Sequence, residues 1–314
     1  MGKSKIDWTD ETINPFTGCR KGCRFCYARK MARRLAHIEG TVYQRVGRAT
    51  AGSVCEFIYP TGGNHFAPAV HLDVLNREEG RLSRSVRHGC VGYPKSLSSR
   101  RVFIGSMGDM CYEGAAVTFS NIGDLLPMRA WWGSARLQER LAQFARSAHR
   151  HTILLLTKRP DLLVDGIDWP ENVQIGVSLS TNNDLLRIED LVRWRNRQPS
   201  NTSSRITLWA SVEPLLDADF DEKHLAGLDW IVVGAQTGSG SGLRDFAGLQ
   251  RYGEGAEMVE VNHGETILEA AERIVQWCSK GGIPCFVKDN VRRLTHRYRP
   301  PVEWPREFPR GVPA

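Results

Sequence analysis

The run Thr152-Ile153-Leu154-Leu155-Leu156 is followed at once by the polar turn Thr157-Lys158-Arg159-Pro160. A short continuous apolar run that ends in a turn is typical of a strand buried on both faces, because helices cover both sides of a parallel sheet. Similar runs recur at residues 102–105, 173–177, 206–210, 230–233 and 284–287. The chain therefore predicts an α/β fold built from successive β–α units.

Helical patterns separate these runs. Apolar residues recur at helical spacing around residues 137–144 and 185–195, and a longer pattern covers residues 264–280. Six or seven such units predict a complete or partial (β/α) barrel, in which functional groups gather where the strands end. The first strand of this barrel is predicted at residues 13–17.

Residues 41–100 and the glycine-dense residues 234–263 depart from the β–α pattern. Residues 41–100 are loop-rich, with a short helix predicted near residues 72–82, and long loops of this kind are commonly lids or binding segments. The C-terminal residues are basic and proline-rich, as in an extended terminus. We therefore predict one barrel domain over residues 1–290, with a loop-rich insertion at about residues 41–100, and a tail over residues 291–314.

The composition is that of a globular protein. The 314 residues are 41% hydrophobic, enough for a full core, and no apolar run approaches the roughly 20 residues that span a bilayer. The chain has eight cysteines and no apolar signal segment at its N-terminus. We therefore expect a reducing, cytoplasmic environment and no membrane partner.

The net charge of +7 is unevenly distributed, with basic residues concentrated at residues 20–34, 77–101 and 292–310. Lysine and arginine neutralise phosphates, so such regions favour an anionic substrate, with DNA or a nucleotide as the predicted partner. The alternative is that a basic isoelectric point near 9 serves solubility alone.

Cys19, Cys23 and Cys26 form a Cys-x-x-x-Cys-x-x-Cys motif with an aromatic residue before the last cysteine. Three thiolates on one short loop can hold three irons of a 4Fe–4S cluster and leave the fourth iron open to a small molecule. The nearest candidate fourth ligands, His37 and Cys55, complete no familiar zinc spacing. A structural zinc site and a disulfide framework remain the alternative interpretations.

Further blocks accompany this motif along nearly the whole chain. They are IDWTD (6–10), NPFTGC (14–19), FIGSMGD (103–109), LTKRP (156–160), GVS (176–178), SVEPL (211–215), VGAQTG (233–238) and FVKDN (286–290). The cysteine motif resembles that of the radical S-adenosylmethionine (SAM) superfamily. The blocks resemble a phage-associated, radical-SAM-like family otherwise known as a domain of unknown function.

The resemblance implies a partial (β/α)6 TIM-like barrel of the radical SAM type. It implies that SAM binds the open iron of a 4Fe–4S cluster, is reduced by one electron and yields a 5′-deoxyadenosyl radical that abstracts hydrogen from the substrate. It also implies an external one-electron donor such as flavodoxin or ferredoxin. If the chain is phage-encoded, its location would be the host cytoplasm.

Several polar residues follow predicted strands, where the superfamily binds its cofactor. The resemblance assigns Ser106 and Asp109 to the methionine end of SAM, although the usual Gly-Gly-Glu motif is absent. Ser178 and Ser180 could bond the SAM ribose, or form an ordinary turn or helix cap. Further groups predicted to contact the ribose, the adenine or the substrate are Glu213, Gln236 and Thr237.

Other residues suit the substrate. Lys158 and Arg159 follow an apolar strand and match a carboxylate or phosphate, or are surface charges on a loop. A second predicted substrate-binding group consists of Lys288, Asp289 and Asn290. Cys111 lies just beyond the FIGSMGD block and is either a hydrogen donor in catalysis or a small buried hydrophobe. The predicted catalytic set is Cys111, Lys158, Glu213 and Lys288.

The sequence thus favours a radical SAM enzyme that acts on a base or nucleotide in DNA, with a carbon-centred rearrangement in base hypermodification as the favoured reaction. One alternative keeps the cofactor but acts on a small metabolite or a peptide carboxylate. Another, of a different class, is a nucleic-acid-binding module whose cysteines hold a structural metal.

Overall fold

The computed structural model describes residues 4, 6–23, 25–44, 46, 66–84, 99–113, 115–118, 131–199, 206–216, 225–235, 249–251, 258–260 and 264–298. The chain forms two compact units. Unit 1 consists mainly of Glu11–Leu155 and Leu162–Val173, and unit 2 of Ser4–Asp10, Leu156–Asp161 and Gln174–Ala314.

The described strands and helices alternate along much of the chain. The strands are β1 (Glu11–Ile13), β2 (Phe16–Thr17), β3 (Ala69–His71), β4 (Arg101–Ile104), β5 (Ala115–Thr118), β6 (Trp131–Trp132), β7 (Thr152–Thr157), β8 (Val173–Leu179), β9 (Thr207–Val212), β10 (Trp230–Val233), β11 (Leu249–Arg251), β12 (Met258–Glu260) and β13 (Cys285–Val287). The helices are α1 (Tyr27–Leu35), α2 (Leu72–Arg84), α3 (Ser134–Ser147), α4 (Leu186–Arg197), α5 (Gly264–Gly281) and α6 (Asp289–Tyr298).

A parallel sheet of seven strands, in the order β1-β4-β7-β8-β9-β10-β13, is the centre of this mixed α/β fold. Strands β7 and β8 are buried along almost their whole length, as the continuous apolar runs predict. The α/β prediction is confirmed at this level, and the seven-stranded parallel sheet is consistent with a partial TIM-like barrel. The sheet has seven strands and not the expected six.

A second sheet contains β2, β3, β5 and β6, and β11 pairs with β12 in an antiparallel ribbon. The single strand predicted over residues 13–17 is therefore two short strands in two sheets. Strand β1 pairs in parallel with β4, whereas β2 pairs in antiparallel fashion with β3. The chain changes sheet at Asn14-Pro15, where proline cannot donate a ladder hydrogen bond.

The predicted domain boundary at residue 290 falls inside α6, while the terminal residues 299–314 lie outside the described part of the chain. The short helix predicted near residues 72–82 is α2. In the described part of the chain, no helix is both long enough and apolar enough to cross a membrane.

Three arginines of the second basic region form ion pairs within unit 1. Arg81 and Arg100 both donate to the buried carboxylate of Glu11, at the start of β1. Arg81 also donates to the buried Glu78, with a nitrogen–oxygen distance of 2.7 Å, and Arg77 donates to the same carboxylate at 3.2 Å. Buried carboxylates require such partners. These three arginines therefore contribute to the fold, and the anionic partner stays a prediction.

Candidate functional site

The cysteine loop of unit 1 begins at a tight backbone contact. Gly18 pairs with Gly108 in an isolated parallel bridge, and its N–H donates to the Met107 carbonyl oxygen at 2.9 Å. The φ of Gly18 is +86°, and a Cβ at this position would lie 2.2 Å from the Ala67 carbonyl oxygen. Only glycine fits here, both for the backbone conformation and for the space. The loop is thereby tied to the segment that follows β4.

The three motif cysteines are partly exposed, and none is in a disulfide. The Cys26 thiol caps α1 by accepting the Arg29 N–H at 3.4 Å, and the Cys19 thiol accepts the Lys21 N–H at the same distance. Burial, together with the nearby Asp109 carboxylate, raises the pKa of Cys19 to about 11.

The donor chemistry of this loop fits an iron–sulfur cluster. Thiolates are soft ligands, which select iron–sulfur clusters and zinc over calcium or magnesium. Within the residues that the structure describes, no group of three or more His, Cys, Asp or Glu side chains stands arranged around one ion position. Cys19, Cys23 and Cys26 are the residues that could hold the cluster, as three thiols within eight residues of one loop.

The segment after β4 brings two predicted cofactor ligands beside the cysteine loop. The Asn14 side-chain oxygen accepts the Met107 N–H at 3.0 Å and the Ser106 hydroxyl at 3.2 Å. The Tyr27 hydroxyl donates to the Ser106 carbonyl oxygen. Asp109 is buried, and its carboxylate accepts the Cys111 N–H at 3.0 Å. Sequence reasoning missed the anchoring role of Asn14, although it lies within the NPFTGC block.

Cys111 is buried in a polar setting. Its sulfur lies 3.9 Å from the Gln138 side-chain nitrogen, which also donates to the Ser134 hydroxyl and the Leu162 carbonyl oxygen. The Gln138 oxygen accepts the Val164 N–H at 3.0 Å. This network joins α3 to the segment after β7, so Cys111 contacts a structural glutamine. Its predicted role as a hydrogen donor stays a prediction.

In unit 2, three residues follow directly after three neighbouring strands: Glu213 after β9, Gly234 after β10 and Lys288 after β13. The parallel ladder continues through them, since Gly234 donates to Val212 at 3.0 Å and Lys288 donates to Val233 at 2.9 Å. The Lys288 ammonium forms an ion pair with the Glu213 carboxylate. The pair thus spans the end of β10.

Strand register sorts one face of unit 2 into layers. Parallel partners in register share a face, and side chains two residues apart on a strand point the same way. The layer farthest from the C-terminal ends of the strands contains three residues in register, Gly176, Trp209 and Trp230. Two residues further along the strands, Ser178 and Ser211 are in register and form the next layer. The next step, at the strand ends, holds Ser180, Glu213 and Lys288, which we call the upper polar layer.

The layer farthest from the strand ends is filled by indole rings. The ring centroids of Trp8 and Trp209 are 5.1 Å apart, and those of Trp209 and Trp230 are also 5.1 Å apart. A Cβ on Gly176 would lie 2.4 Å from the Trp209 ring, so glycine makes room for the indole. The polar layers therefore lie next to a cluster of packed indole rings, which is an apolar surface.

Ser180 is the most unusual member of the upper polar layer. Its residue is 1% exposed, and its hydroxyl oxygen has no hydrogen-bond partner among the described residues. Its N–H donates to the Asp184 carboxylate at 2.8 Å, and Asp184 forms a capping box with Thr181. The alternative interpretation was that the Ser180 side chain forms a turn or a helix cap. In the structure the side chains of Thr181 and Asp184 form that cap. A buried hydroxyl without a protein partner can be satisfied by a bound water, an ion or a ligand.

The remaining predicted site residues differ in whether they have partners within the protein. The Arg159 guanidinium forms an ion pair with Asp161 at 2.8 Å, and Lys158 is half-buried after β7. Asn290 exchanges two hydrogen bonds with the backbone of Ala235, and the Asp289 N–H at the start of α6 donates to the Asp7 carboxylate at 2.9 Å.

These partners give Arg159, Asp289 and Asn290 structural contacts inside unit 2. Gln236 and Thr237 lie outside the described residues. Ser211 was not predicted as a site residue, although its alternation with Glu213 in the SVEPL block was the available signal.

The chain matches the model of a family described as a protein of unknown function, DUF5131, over residues 3–247. The chain belongs to this family. The matched residues include the cysteine loop and Glu213, and they end before β13 and Lys288. A search of curated proteins gave no match, and a search of solved structures gave none. The family's description names no activity.

Proposed function

We propose that this chain is a radical SAM enzyme in which Cys19, Cys23 and Cys26 bind a 4Fe–4S cluster. The observation that carries the proposal is the set of three partly exposed thiols on one loop, none of them in a disulfide. The loop is held at its start by the Gly18–Gly108 bridge and at its end by the cap of α1. A cluster with three protein ligands keeps one iron open to a small molecule.

When bound and reduced, such a cluster supplies the electron that splits SAM into methionine and a 5′-deoxyadenosyl radical. The protein groups beside the loop suit the polar end of SAM. Asp109 is buried close enough to Cys19 to act on its pKa, so this carboxylate would favour a cation such as the SAM ammonium group. Asn14 holds the backbone of residues 106–107 and thereby the approach to Asp109.

The upper polar layer of unit 2 suits the hydroxyls of a nucleoside. Lys288 compensates the charge of Glu213, and one carboxylate oxygen remains to accept from a hydroxyl. The buried Ser180 hydroxyl supplies a further polar contact. We assign Glu213, Ser180 and Ser178 to the ribose of SAM or of a nucleoside substrate, and Lys288 to positioning Glu213.

The proposed substrate is a base or nucleotide in DNA, and the proposed outcome of hydrogen abstraction is a carbon-centred rearrangement during base hypermodification. A net charge of +7 and the half-buried Lys158 after β7 support an anionic substrate. The parallel seven-stranded sheet supports the partial barrel of the radical SAM type. Lys158 and Cys111 are the residues through which substrate binding and hydrogen return would act.

Anaerobic reconstitution with iron and sulfide tests the cluster. The wild-type chain should turn brown, bind about four irons and release 5′-deoxyadenosine from SAM under dithionite. Cys23→Ala should lose both properties, whereas Cys278→Ala, a buried cysteine of α5, should retain them. A colourless wild-type chain that binds one zinc would refute the enzyme and leave the structural metal module.

The substrate needs a separate measurement. A candidate nucleotide or DNA labelled with deuterium should transfer deuterium into 5′-deoxyadenosine if it is the hydrogen source. Transfer from a labelled carboxylate metabolite, with none from DNA, would replace the nucleic-acid substrate by the small-molecule alternative.

A further inference from the structure

Helix α1 buries one face and leaves the opposite face apolar as well as basic. Ala28 and Ala32 pack into unit 1, together with Ala36 just past the helix. On the outer side, Tyr27 is 52% exposed and Met31 is 40% exposed. Residues at helical spacings of three, four and seven share a face, which here comprises Tyr27, Lys30, Met31 and Arg34. We call this stripe, with the 54% exposed Ile38 just beyond the helix, the α1 face.

The α1 face concentrates exposed apolar surface. In the described part of the chain, four large hydrophobic side chains are exposed, and three of them are Tyr27, Met31 and Ile38. Scattered exposed apolar residues need no explanation, but a clustered set bordered by polar residues marks an interaction surface. The clustering therefore points to a partner.

The border of this face is mostly basic, and Glu39, which follows Ile38, is an exposed acidic residue beside it. Residues 20–34 contain seven lysines and arginines and no acidic residue. Among described side chains, Lys30, Arg33 and Arg34 form no ion pair, in contrast to the arginines that hold Glu11 and Glu78. The charge of α1 therefore stays available, and it complements an acidic partner.

An apolar centre with a charged border matches a protein partner better than a phosphate backbone. Lys30 and Arg34 could neutralise phosphates, but Met31 and Ile38 would gain nothing from them. Redox partners associate through small interfaces in which complementary charge speeds the encounter. The α1 face combines exposed apolar side chains with positive charges, as such an interface requires.

The position of α1 indicates what the partner delivers. The helix starts one residue after Cys26, whose thiol accepts the Arg29 N–H of its first turn. The proposed reaction consumes one electron for each SAM, and electron transfer rates fall steeply with distance. We propose that the α1 face docks an acidic one-electron carrier protein of the flavodoxin type, an inference that rests on the proposed function. In that transfer the flavin hydroquinone loses one electron and becomes the semiquinone, and the cluster gains that electron.

Flavodoxin is the probe for this interface. Two variants test the interface. Lys30→Glu/Arg34→Glu reverses the charge of the border, and Met31→Ser, made separately, removes an apolar side chain from the centre. The matched control is Lys280→Glu/Arg293→Glu, which reverses two exposed charges on α5 and α6. Affinity for flavodoxin is measured by surface plasmon resonance at low and high salt. SAM cleavage, without nucleic acid, is measured with reduced flavodoxin and with dithionite.

The wild type should bind flavodoxin more weakly as salt rises, and Lys30→Glu/Arg34→Glu should lose at least about tenfold in affinity and in flavodoxin-driven cleavage. Met31→Ser should weaken binding without changing its salt dependence. Dithionite-driven cleavage should stay unchanged in both, and the control should behave as wild type.

Two results would overturn the inference: a wild type that does not bind flavodoxin, or a charge-reversed variant that keeps its flavodoxin affinity. Loss of binding to a duplex oligonucleotide, with flavodoxin binding retained, would assign the α1 face to nucleic acid instead. A wild type that fails to cleave SAM even with dithionite would refute the proposed function, whereas the binding measurements would still judge the interface.

Discussion

Lys288 and Glu213 form an ion pair that crosses the end of β10, directly above Gly234. The two residues are 75 positions apart in sequence, and each follows the last residue of its strand. Their side chains are 11% and 24% exposed, so the pair is shielded from solvent on most sides. This ion pair balances the charges of the upper polar layer.

Replacing Gly234 should disturb this pair. A Cβ on residue 234 would lie 2.9 Å from the Lys288 side chain and 3.1 Å from the Glu213 carboxylate carbon. Because both side chains can move, we expect Gly234→Ala to cost about 1 kcal/mol of stability. Gly234→Ala should also weaken SAM binding to the reconstituted protein while the protein is still folded, because the substitution displaces Glu213 and Lys288. Gly281→Ala, whose nearest neighbour would be 3.5 Å away, is the control for thermal unfolding and SAM titration.

A double-mutant cycle measures the ion pair itself. Lys288→Met or Glu213→Gln alone should destabilise the fold by about 2 kcal/mol, because each leaves a largely buried polar partner uncompensated. The double variant should be more stable than the sum of the two changes predicts. The exposed Arg193–Asp190 pair of α4, at 2.7 Å, is the comparison and should give a coupling energy below about 0.5 kcal/mol in urea unfolding. Equal coupling energies for the two pairs would contradict the structural importance of the Lys288–Glu213 contact.

Two glycines of the cysteine loop should respond very differently to alanine. Both have positive φ, but a Cβ on Gly18 would strike the Ala67 carbonyl, whereas a Cβ on Gly22 has no neighbour nearer than 4.0 Å. Gly22→Ala should therefore cost only the conformational strain of about 1–2 kcal/mol and still bind iron. Gly18→Ala should displace the loop from residues 107–109 and abolish iron binding. Urea unfolding and iron content after anaerobic reconstitution report the two effects, and similar results for the two variants would argue against the steric explanation.

Unit 1 should lose stability in mild acid because of His151. Burial lowers the pKa of His151 below its ordinary value near 6.5, and the charges of Arg100 and Arg81 lower it further against the opposing effect of Glu11. Below about pH 6.5 the unfolded chain therefore binds a proton that the folded chain resists, so the free energy of unfolding falls as the pH falls. Above that pH the contribution is fully present.

Urea unfolding between neutral and mildly acidic pH checks this dependence. His151→Gln should reduce the slope of stability against pH, by at most about 1.4 kcal/mol per pH unit. His37→Gln replaces an exposed histidine and should leave the wild-type slope in place. If His151→Gln keeps the full slope, another group is responsible for it.

The local pattern of the sequence determined much of the sheet. The run predicted at residues 230–233 is β10, and the runs at residues 152–156 and 284–287 differ from β7 and β13 by one residue. These predictions succeed because a continuous apolar run reports burial on both faces, which is a property of each segment alone. The cysteine spacing is local in the same way, and from it alone the sequence predicts that the three thiols are metal ligands.

The sequence does not reveal contacts between residues that are far apart along the chain. Glu11 pairs with Arg81 and Arg100, which lie 70 and 89 residues away in the sequence, and no local pattern indicates these contacts. The pairing of Glu213 with Lys288 follows from strand order and register, and so does the burial of the Ser180 hydroxyl, which has no partner among the described residues. Charge and periodicity say which residues are polar or buried, but only the assembled sheet decides which charges meet and which polar groups are buried together.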